Sequence, residues 1–250
     1  MSVSIRRKRT TCAKDSVARI GPSGHAFKEQ LLRALPNTNV KLYFPSEFGV
    51  NHYIHDFKHE EWDAKKHHYE LTTQLIPNIK VCRVYVGLFL EDSIGPWFGF
   101  FTKQRKYEAV GDPTKRCSYT SIFDVGKAVA ILASLPIANV PSEVHLSGDT
   151  KSFAEIAQVM GKAGGGPIEV SSIEMAQYKQ DVLSKPSPTP ERYLRFLMGE
   201  GKIDHSETGL GNANQLVEAD GTFGAWMSLE DLAKATHGMP WGDTDWQPSV

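Results

Sequence analysis

The 250-residue sequence holds three cysteines, Cys12, Cys82 and Cys117. They are too few and too widely spaced for a disulfide framework or for a zinc site, whose ligands cluster in pairs. That usage suits a reducing compartment, and the expected location is the cytoplasm. No apolar run approaches the ~18 residues of a membrane span, so no membrane association is expected. An excess of either charge is also lacking, since 28 basic and 29 acidic side chains leave a formal net charge of -1. No overall field therefore draws the chain onto nucleic acid or anionic lipid, and the expected partner is a small molecule.

A hydrophobic content of 40% with 10% aromatics is enough to bury one large core, or one core plus a lobe, and speaks against disorder and fibres. The first 15 residues read as a basic leader. Between Met1 and Arg19 the basic residues Arg6, Arg7, Lys8, Arg9, Lys14 and Arg19 face a single acid, Asp15. The composition resembles a mitochondrial presequence or a nuclear import patch, and an unfolded leader or a mis-joined gene start explains it equally well. Nucleic-acid binding through Arg6 to Arg9 finds no basic stripe elsewhere to support it.

From Ser16 onward a strand, turn and helix series repeats at the scale of a parallel α/β sheet. Ser16 to Ile20 is a short apolar run ending in Gly21-Pro22-Ser23-Gly24, and Phe27, Leu31, Leu32 and Leu35 then recur at helical spacing until Pro36. Val40 to Phe44 reads as a buried strand stopped by Pro45. A helix follows from about Glu60 to Leu75, stopped by Pro77, and then a third strand from Lys80 to Tyr85. Beyond Gly87 the rhythm loosens, which suggests that the sheet is complete and a smaller lobe is being added. There Asp124 is expected to cap a helix from Val125 to Leu135, Ser152 with Glu155 forms a capping box for a helix through about Lys162, and Ser228 with Asp231 repeats it before Leu229 to Thr236. The glycines at 164–166, the prolines at 186, 188 and 190 and the span 199–211 mark loops, and the tail after Gly238 reads as frayed. No internal repeat is visible.

The segment Phe44-Pro45-Ser46-Glu47-Phe48-Gly49 sits where a parallel strand delivers its C-terminal end, the edge at which open α/β sheets bind ligands. Proline fixes the turn, Ser46 and Glu47 supply polar groups, and Phe48 is placed either to stack on a flat ring or to enter the core. Five histidines, His52, His55, His59, His67 and His68, crowd 17 residues. His55 and His59 have the i, i+4 spacing of metal ligands, but His59-Glu60-Glu61-Trp62-Asp63 is not H-E-x-x-H and no cysteine is near. No metal site is expected; a solvated loop and helix face is the reading adopted. Asp112 and Asp124 are sufficiently explained as a turn residue and a helix cap.

The string Val40-Lys41-Leu42-Tyr43-Phe44-Pro45-Ser46-Glu47-Phe48-Gly49 resembles the signature of the isoflavone-reductase-like proteins, an NmrA-like branch of the short-chain dehydrogenase/reductases. The resemblance continues through Lys65, Val86-Gly87-Leu88-Phe89, Gly111-Asp112, Ser118 to Asp124 and Leu146-Ser147-Gly148-Asp149, and covers roughly residues 16 to 240. It implies an α/β fold, a Rossmann-type parallel sheet with a smaller C-terminal substrate lobe, NADP(H) as cofactor, and reduction of small, often aromatic or phenolic metabolites. It also implies a catalytic lysine in the helix after the F-P-S-E-F-G turn, which Trp62-Asp63-Ala64-Lys65 matches, with Lys66 as the register alternative. Lys65 would hold the nicotinamide ribose and carry a proton, which needs an ammonium whose pKa is lowered by burial or neighbours. Gly21, Pro22, Ser23, Phe44, Ser46 and Tyr85 join Lys65 as expected cofactor-binding residues, and Phe48, Tyr85 and Phe89 are expected to wall the substrate pocket. No tyrosine has a lysine four residues later, so the Y-x-x-x-K pair of ordinary short-chain dehydrogenases is absent.

The largest departure from the family is the G-x-x-G-x-x-G loop that places pyrophosphate on a helix N-terminus, which this sequence nowhere contains. Gly21-Pro22-Ser23-Gly24 matches the family's fourth strand-to-helix loop better than its first. The expectation is an N-terminally truncated, incomplete nucleotide-binding domain over 16–135, a substrate lobe over 136–240 that shares sheet elements, and a tail over 241–250. NADP would then bind weakly or not at all, and the incomplete sheet edge would favour association or a homo-oligomer. Two functional readings stay open: an impaired reductase, and a non-catalytic NmrA-like protein that senses nucleotide or redox state.

Overall fold

The structure, a computed structural model, describes residues 22–187 and 189–245. In chain order the elements are α1 (Pro22–Ala34), β1 (Leu42–Tyr43), α2 (Glu60–Leu75), β2 (Lys80–Val81), β3 (Arg83–Tyr85), β4 (Leu88–Phe89) and α3 (Leu90–Ser93). Then come β5 (Phe100–Phe101), β6 (Lys106–Val110), β7 (Arg116–Thr120), α4 (Ile122–Ser134), β8 (Glu143–His145), β9 (Asp149–Ser152) and α5 (Phe153–Met160). The series ends with β10 (Glu169–Ile173), α6 (Met175–Ser184), α7 (Glu191–Gly199), α8 (Gln215–Glu218) and α9 (Leu229–Ala235).

The segment from Lys80 to Tyr85 serves two neighbours. β2 pairs in parallel with β1, Leu42 opposite Lys80, while β3 pairs in parallel with β8, Tyr85 opposite His145. Between them the Cys82 N–H donates to Tyr43 O at 3.0 Å, so the ladder passes from one neighbour to the other without a break. The sheet is therefore not complete at Tyr85 as the sequence suggested. β8 adds a strand from the far side of residue 135, and it was missed because three residues with one buried side chain carry almost no period-2 signal. Two further groups of strands follow: β4 parallel to β7, with β9 antiparallel beyond it, and β6 between parallel β10 and antiparallel β5. Residues before and after 135 thus share strands in both directions.

Three buried clusters hold these pieces together. Leu32 on α1 and Leu35 just beyond it meet Tyr43 and Ile76 on one flank of β1 and β2. Val84 and Val86 face α4 through Val125, Ala128 and Leu132. The largest cluster joins β5, β6 and β7 to α5 and α7, with Phe100 stacked on Phe153 at 4.3 Å between ring centres. Gly87, at φ 70°, lets β3 turn into β4, and a Cβ there would come within 2.3 Å of the Ser118 carbonyl oxygen on β7. Only glycine fits both the left-handed backbone and the close approach.

Local chemistry sets most helix ends. α2 spans Glu60–Leu75 as its sequence indicated, with Glu60, Glu61 and Asp63 in the first turn, where negative charge favours a helix N-terminus. Both capping boxes form, Ser152 with Glu155 on α5 and Ser228 with Asp231 on α9. Two expectations change. Ser121, not Asp124, caps α4, accepting from the Phe123 N–H; the Asp124 carboxylate is buried and accepts from the Met227 N–H at 2.7 Å and from Lys127. The turn read over Gly21 to Gly24 is helical from Pro22, so Pro22 and Ser23 open α1, while Gly21, the strand read over 16–20 and the basic leader lie outside the described residues. The tail stays in contact as far as Asp245, which pairs with Lys103 at 2.5 Å, and the Trp241 indole N–H donates to Glu91 O while its ring meets Trp97. Removing one cap gives a direct test: Ser152→Ala should lower unfolding stability by about 1 kcal/mol, read as a lower urea midpoint at unchanged slope.

Candidate active site

The F-P-S-E-F-G turn leaves the C-terminal end of β1 and reverses at Phe48, whose φ is 31°. A left-handed phenylalanine is uncommon and costs about 1–2 kcal/mol, so the surrounding contacts must enforce it. They do so from both sides. Gly49 O accepts from the N–H groups of Val86 and Gly87 at 3.0 and 3.2 Å, tying the turn to the end of β3. Glu47 O accepts from the Lys65 ammonium at 3.2 Å, tying it to α2. Lys65 thus stands at the turn that leaves the C-terminal end of β1, with its amine on the turn's own backbone. Lys66, one position on, instead reaches back toward Asp63 on the flank of α2 at 3.5 Å.

Beneath the turn the Glu47 carboxylate is 3% exposed and meets His52 Nε2 at 2.5 Å. His52 is itself 1% exposed, stacked on Trp62 at 5.9 Å and set against the edge of Tyr85 at 6.1 Å. Burial alone would raise the Glu47 pKa, but the His52 hydrogen bond, with the charges of Lys65 and Arg83, outweighs it and holds the carboxyl below the ordinary range. Burial lowers His52, against the opposing pull of Glu47. A neutral imidazole donating Nε2–H to a carboxylate is the consistent state. Lys65 is also lowered by burial, with Glu47 and Glu61 pulling upward and Lys28 downward. Among the described residues its ammonium, with three donors, meets one protein acceptor at hydrogen-bond distance, which suits a group meant to donate to sugar hydroxyls as well.

The residues expected to wall a substrate pocket do not share a surface. Side chains alternate along a strand, so Val84 and Val86 point one way and Arg83 and Tyr85 the other. Phe44, Phe48 and Phe89 pack against the Val84 and Val86 cluster, whereas Tyr85, fully buried, stacks on His145 at 5.2 Å on the opposite side. Tyr85 therefore lies within the buried network around Glu47. Its hydroxyl has no hydrogen-bond partner among the described residues, and burial pushes its pKa well up. Arg83, on the same side, lies 4.5 Å from the ring centre of Tyr53 and 4.3 Å from that of Tyr69, and pairs with Glu143 at 2.5 Å.

With this geometry in view, comparison with known proteins places the chain in context. The NmrA-like family matches residues 26–216. An NmrA-like family domain-containing oxidoreductase from Gibberella moniliformis (strain M3125 / FGSC 7600) is 25% identical over 197 residues, which cover 75% of this chain and 63% of that protein, so the chain spans under two thirds of the relative's length. Among solved structures, isoflavone reductase superposes with a TM-score of 0.67 at 17% identity, over 84% of this chain and 71% of that one. The binary complex of leucoanthocyanidin reductase with NADPH from Vitis vinifera gives 0.65 at 14%, over 86% and 72%. At such identities the structures speak for the fold alone.

The histidine-rich segment departs from the solvated face expected of it. His52, His55, His59 and His68 are buried, and of the five only His67 is exposed. His55 stacks on Phe57 at 5.3 Å, while His59 meets Trp62 at 4.4 Å and Tyr193 of α7 at 4.6 Å. The rings serve as aromatic packing; among the described residues no group of histidine, cysteine or carboxylate side chains is arranged to hold a metal ion. Burial lowers the pKa of His55 to about 3 and that of His205, beside His145, to about 4. Both groups are depressed in the folded state, so the unfolded chain takes up protons first, below its ordinary value. Their stabilising share is complete above that value and is lost as pH falls toward 4 and 3. At pH 5 each costs about 2 kcal/mol relative to neutrality, at about 1.4 kcal/mol per pH unit. The urea midpoint should accordingly fall between pH 7.5 and 5, and His55→Phe, which keeps the stack on Phe57, should flatten that fall by about one proton's share. An identical pH slope in the variant would show that His55 is not the titrating group.

Proposed function

Since the chain belongs to the NmrA-like family, we propose that it is a NADP(H)-dependent reductase homologue of the isoflavone-reductase-like type, acting on a small aromatic or phenolic metabolite. The observation that carries this reading is the seating of Lys65 on the carbonyl of Glu47, in the turn at the C-terminal end of a parallel strand. That end is where open α/β sheets take their ligands. The relatives that share the fold include a reductase with NADPH bound, in agreement with the cofactor class.

NADPH, when bound, supplies the hydride. The chain's own contribution would be to hold and orient. Lys65, anchored by one hydrogen bond, has donors left for ribose hydroxyls, and its burial lowers the cost of giving up a proton at the substrate oxygen. Phe44 and Ser46 belong to the same turn as its anchor, Glu47. The nicotinamide end of the cofactor is thus the end these residues fit. No G-x-x-G-x-x-G loop for the pyrophosphate occurs in the 250 residues; the second reading is a nucleotide- or redox-sensing binding protein without turnover.

Two measurements decide between them. Calorimetric titration of the 250-residue chain with NADPH should give millimolar or weaker binding. Three missing charge-assisted hydrogen bonds at about 1.5–3 kcal/mol each cost roughly 10³-fold or more in affinity. A dissociation constant near or below about 10 μM would overturn that expectation. With millimolar NADPH and a panel of aromatic substrates, Lys65→Met should lower kcat by roughly 10²-fold, the usual size of a lost acid-base contribution. An unchanged kcat would make Lys65 structural, and no turnover in either protein would favour the sensing role.

A further inference from the structure

We infer that Glu47 and His52 act together as the positioning pair of Lys65, the Glu47 carbonyl and carboxylate fixing the amine's place and surroundings while the His52 ring fixes Glu47. The inference rests on the reading of Lys65 as the functional amine and adds two residues that the sequence pattern did not single out for this task. Glu47 is engaged at both ends. Its carbonyl receives Lys65 at 3.2 Å, its carboxylate receives His52 at 2.5 Å, and its N–H turns back onto Pro45 O at 2.7 Å. No rotamer freedom is left to it.

His52 is held just as firmly. The preceding Asn51 accepts from the Tyr53 N–H at 3.0 Å and opens a short helical turn over His52–Ile54, which swings the imidazole back under the turn that carries Glu47. Trp62, one turn before Lys65 on α2, covers the face of the ring, and Tyr85 closes its edge. The helix that carries the lysine therefore also supplies the wall against which the positioning imidazole rests. A shift of α2 cannot move Lys65 without also moving that wall.

The charged groups around Lys65 are Glu47 on the turn, Glu61 on its own helix and Lys28 on α1, while Glu47 faces His52, Lys65 and Arg83. Burial and Lys28 disfavour the ammonium, while Glu47 and Glu61 favour it; of these two carboxylates, that of Glu47 belongs to the residue whose carbonyl holds the amine. His52 keeps that carboxylate ionised by donating to it. A structural strut would need only shape. A positioning pair of this kind also needs the charge.

The test needs no cofactor. Purified full chain is labelled with acetic anhydride across a pH series, and the reactivity of Lys65 is read by peptide mass spectrometry against exposed Lys234 as internal reference. Glu47→Gln keeps the carbonyl and an acceptor for His52 but removes the charge, so the pH midpoint of Lys65 labelling should fall by at least about one pH unit. Glu47→Asp should recover most of that shift. An unchanged midpoint in folded Glu47→Gln overturns the inference. Should that variant fail to fold, the unsubstituted protein still decides: the His52 Nε2 proton should give a far-downfield, slowly exchanging NMR signal through neutral pH, and a His52 ring that titrates freely near its ordinary value overturns the pairing. Because labelling reports on Lys65 without turnover, a failure here is separate from a failure of the reductase reading, which the kcat of Lys65→Met decides.

Discussion

Taking a carboxylate out of water costs several kcal/mol unless hydrogen bonds and opposite charge replace the hydration it loses. Glu47 has lost nearly all of its hydration, and the replacement comes from one short bond to a neutral imidazole with two cations, Lys65 and Arg83, in range. Much of the site follows from meeting that requirement. His52 has to be folded back under the turn, which calls for the Asn51 cap and for Trp62 and Tyr85 as walls. The chain has to reverse between Glu47 and His52, which places Phe48 in a conformation it does not favour and makes the Gly49 carbonyl the anchor to β3. The arrangement at the sheet edge is thus the outcome of solvating one buried charge with protein.

What the sequence discloses here depends on how local the signal is. The F-P-S-E-F-G turn, α2 and both capping boxes are written in adjacent residues, with proline stops, acidic first turns and S-x-x-E spacing, and they stand as read. The shortened strands are a different matter. Val40 to Phe44 yields only Leu42–Tyr43 because β2 offers it two paired residues before the chain swings to β8, a fact that depends on residues a hundred positions away. The placement of Asp124 is similar: its partner, the Met227 N–H, cannot be foreseen from the helix it sits in.

The misreading of the histidines has a more instructive cause. Taken singly, each is polar and easily assigned to solvent. Taken with Phe57 and Trp62, the run from His52 to Trp62 is a series of flat rings at two- to three-residue intervals, and flat rings pack on one another whether or not they carry nitrogen. That interleaving was the available signal. The division of Phe48 and Phe89 from Tyr85 was legible too, since β3 places Tyr85 between two valines and a strand cannot turn all three to one side.

Trp62 has one more consequence. Its indole touches His52 and His55 before α2, His59 at the mouth of α2 and Tyr193 on α7, and Phe57 extends the same contact to Phe196. α7 arises from the far half of the chain, and Lys65 follows Trp62 by less than one helical turn. The indole therefore ties α7 to the helix that carries the amine, so the packing of one is not independent of the packing of the other.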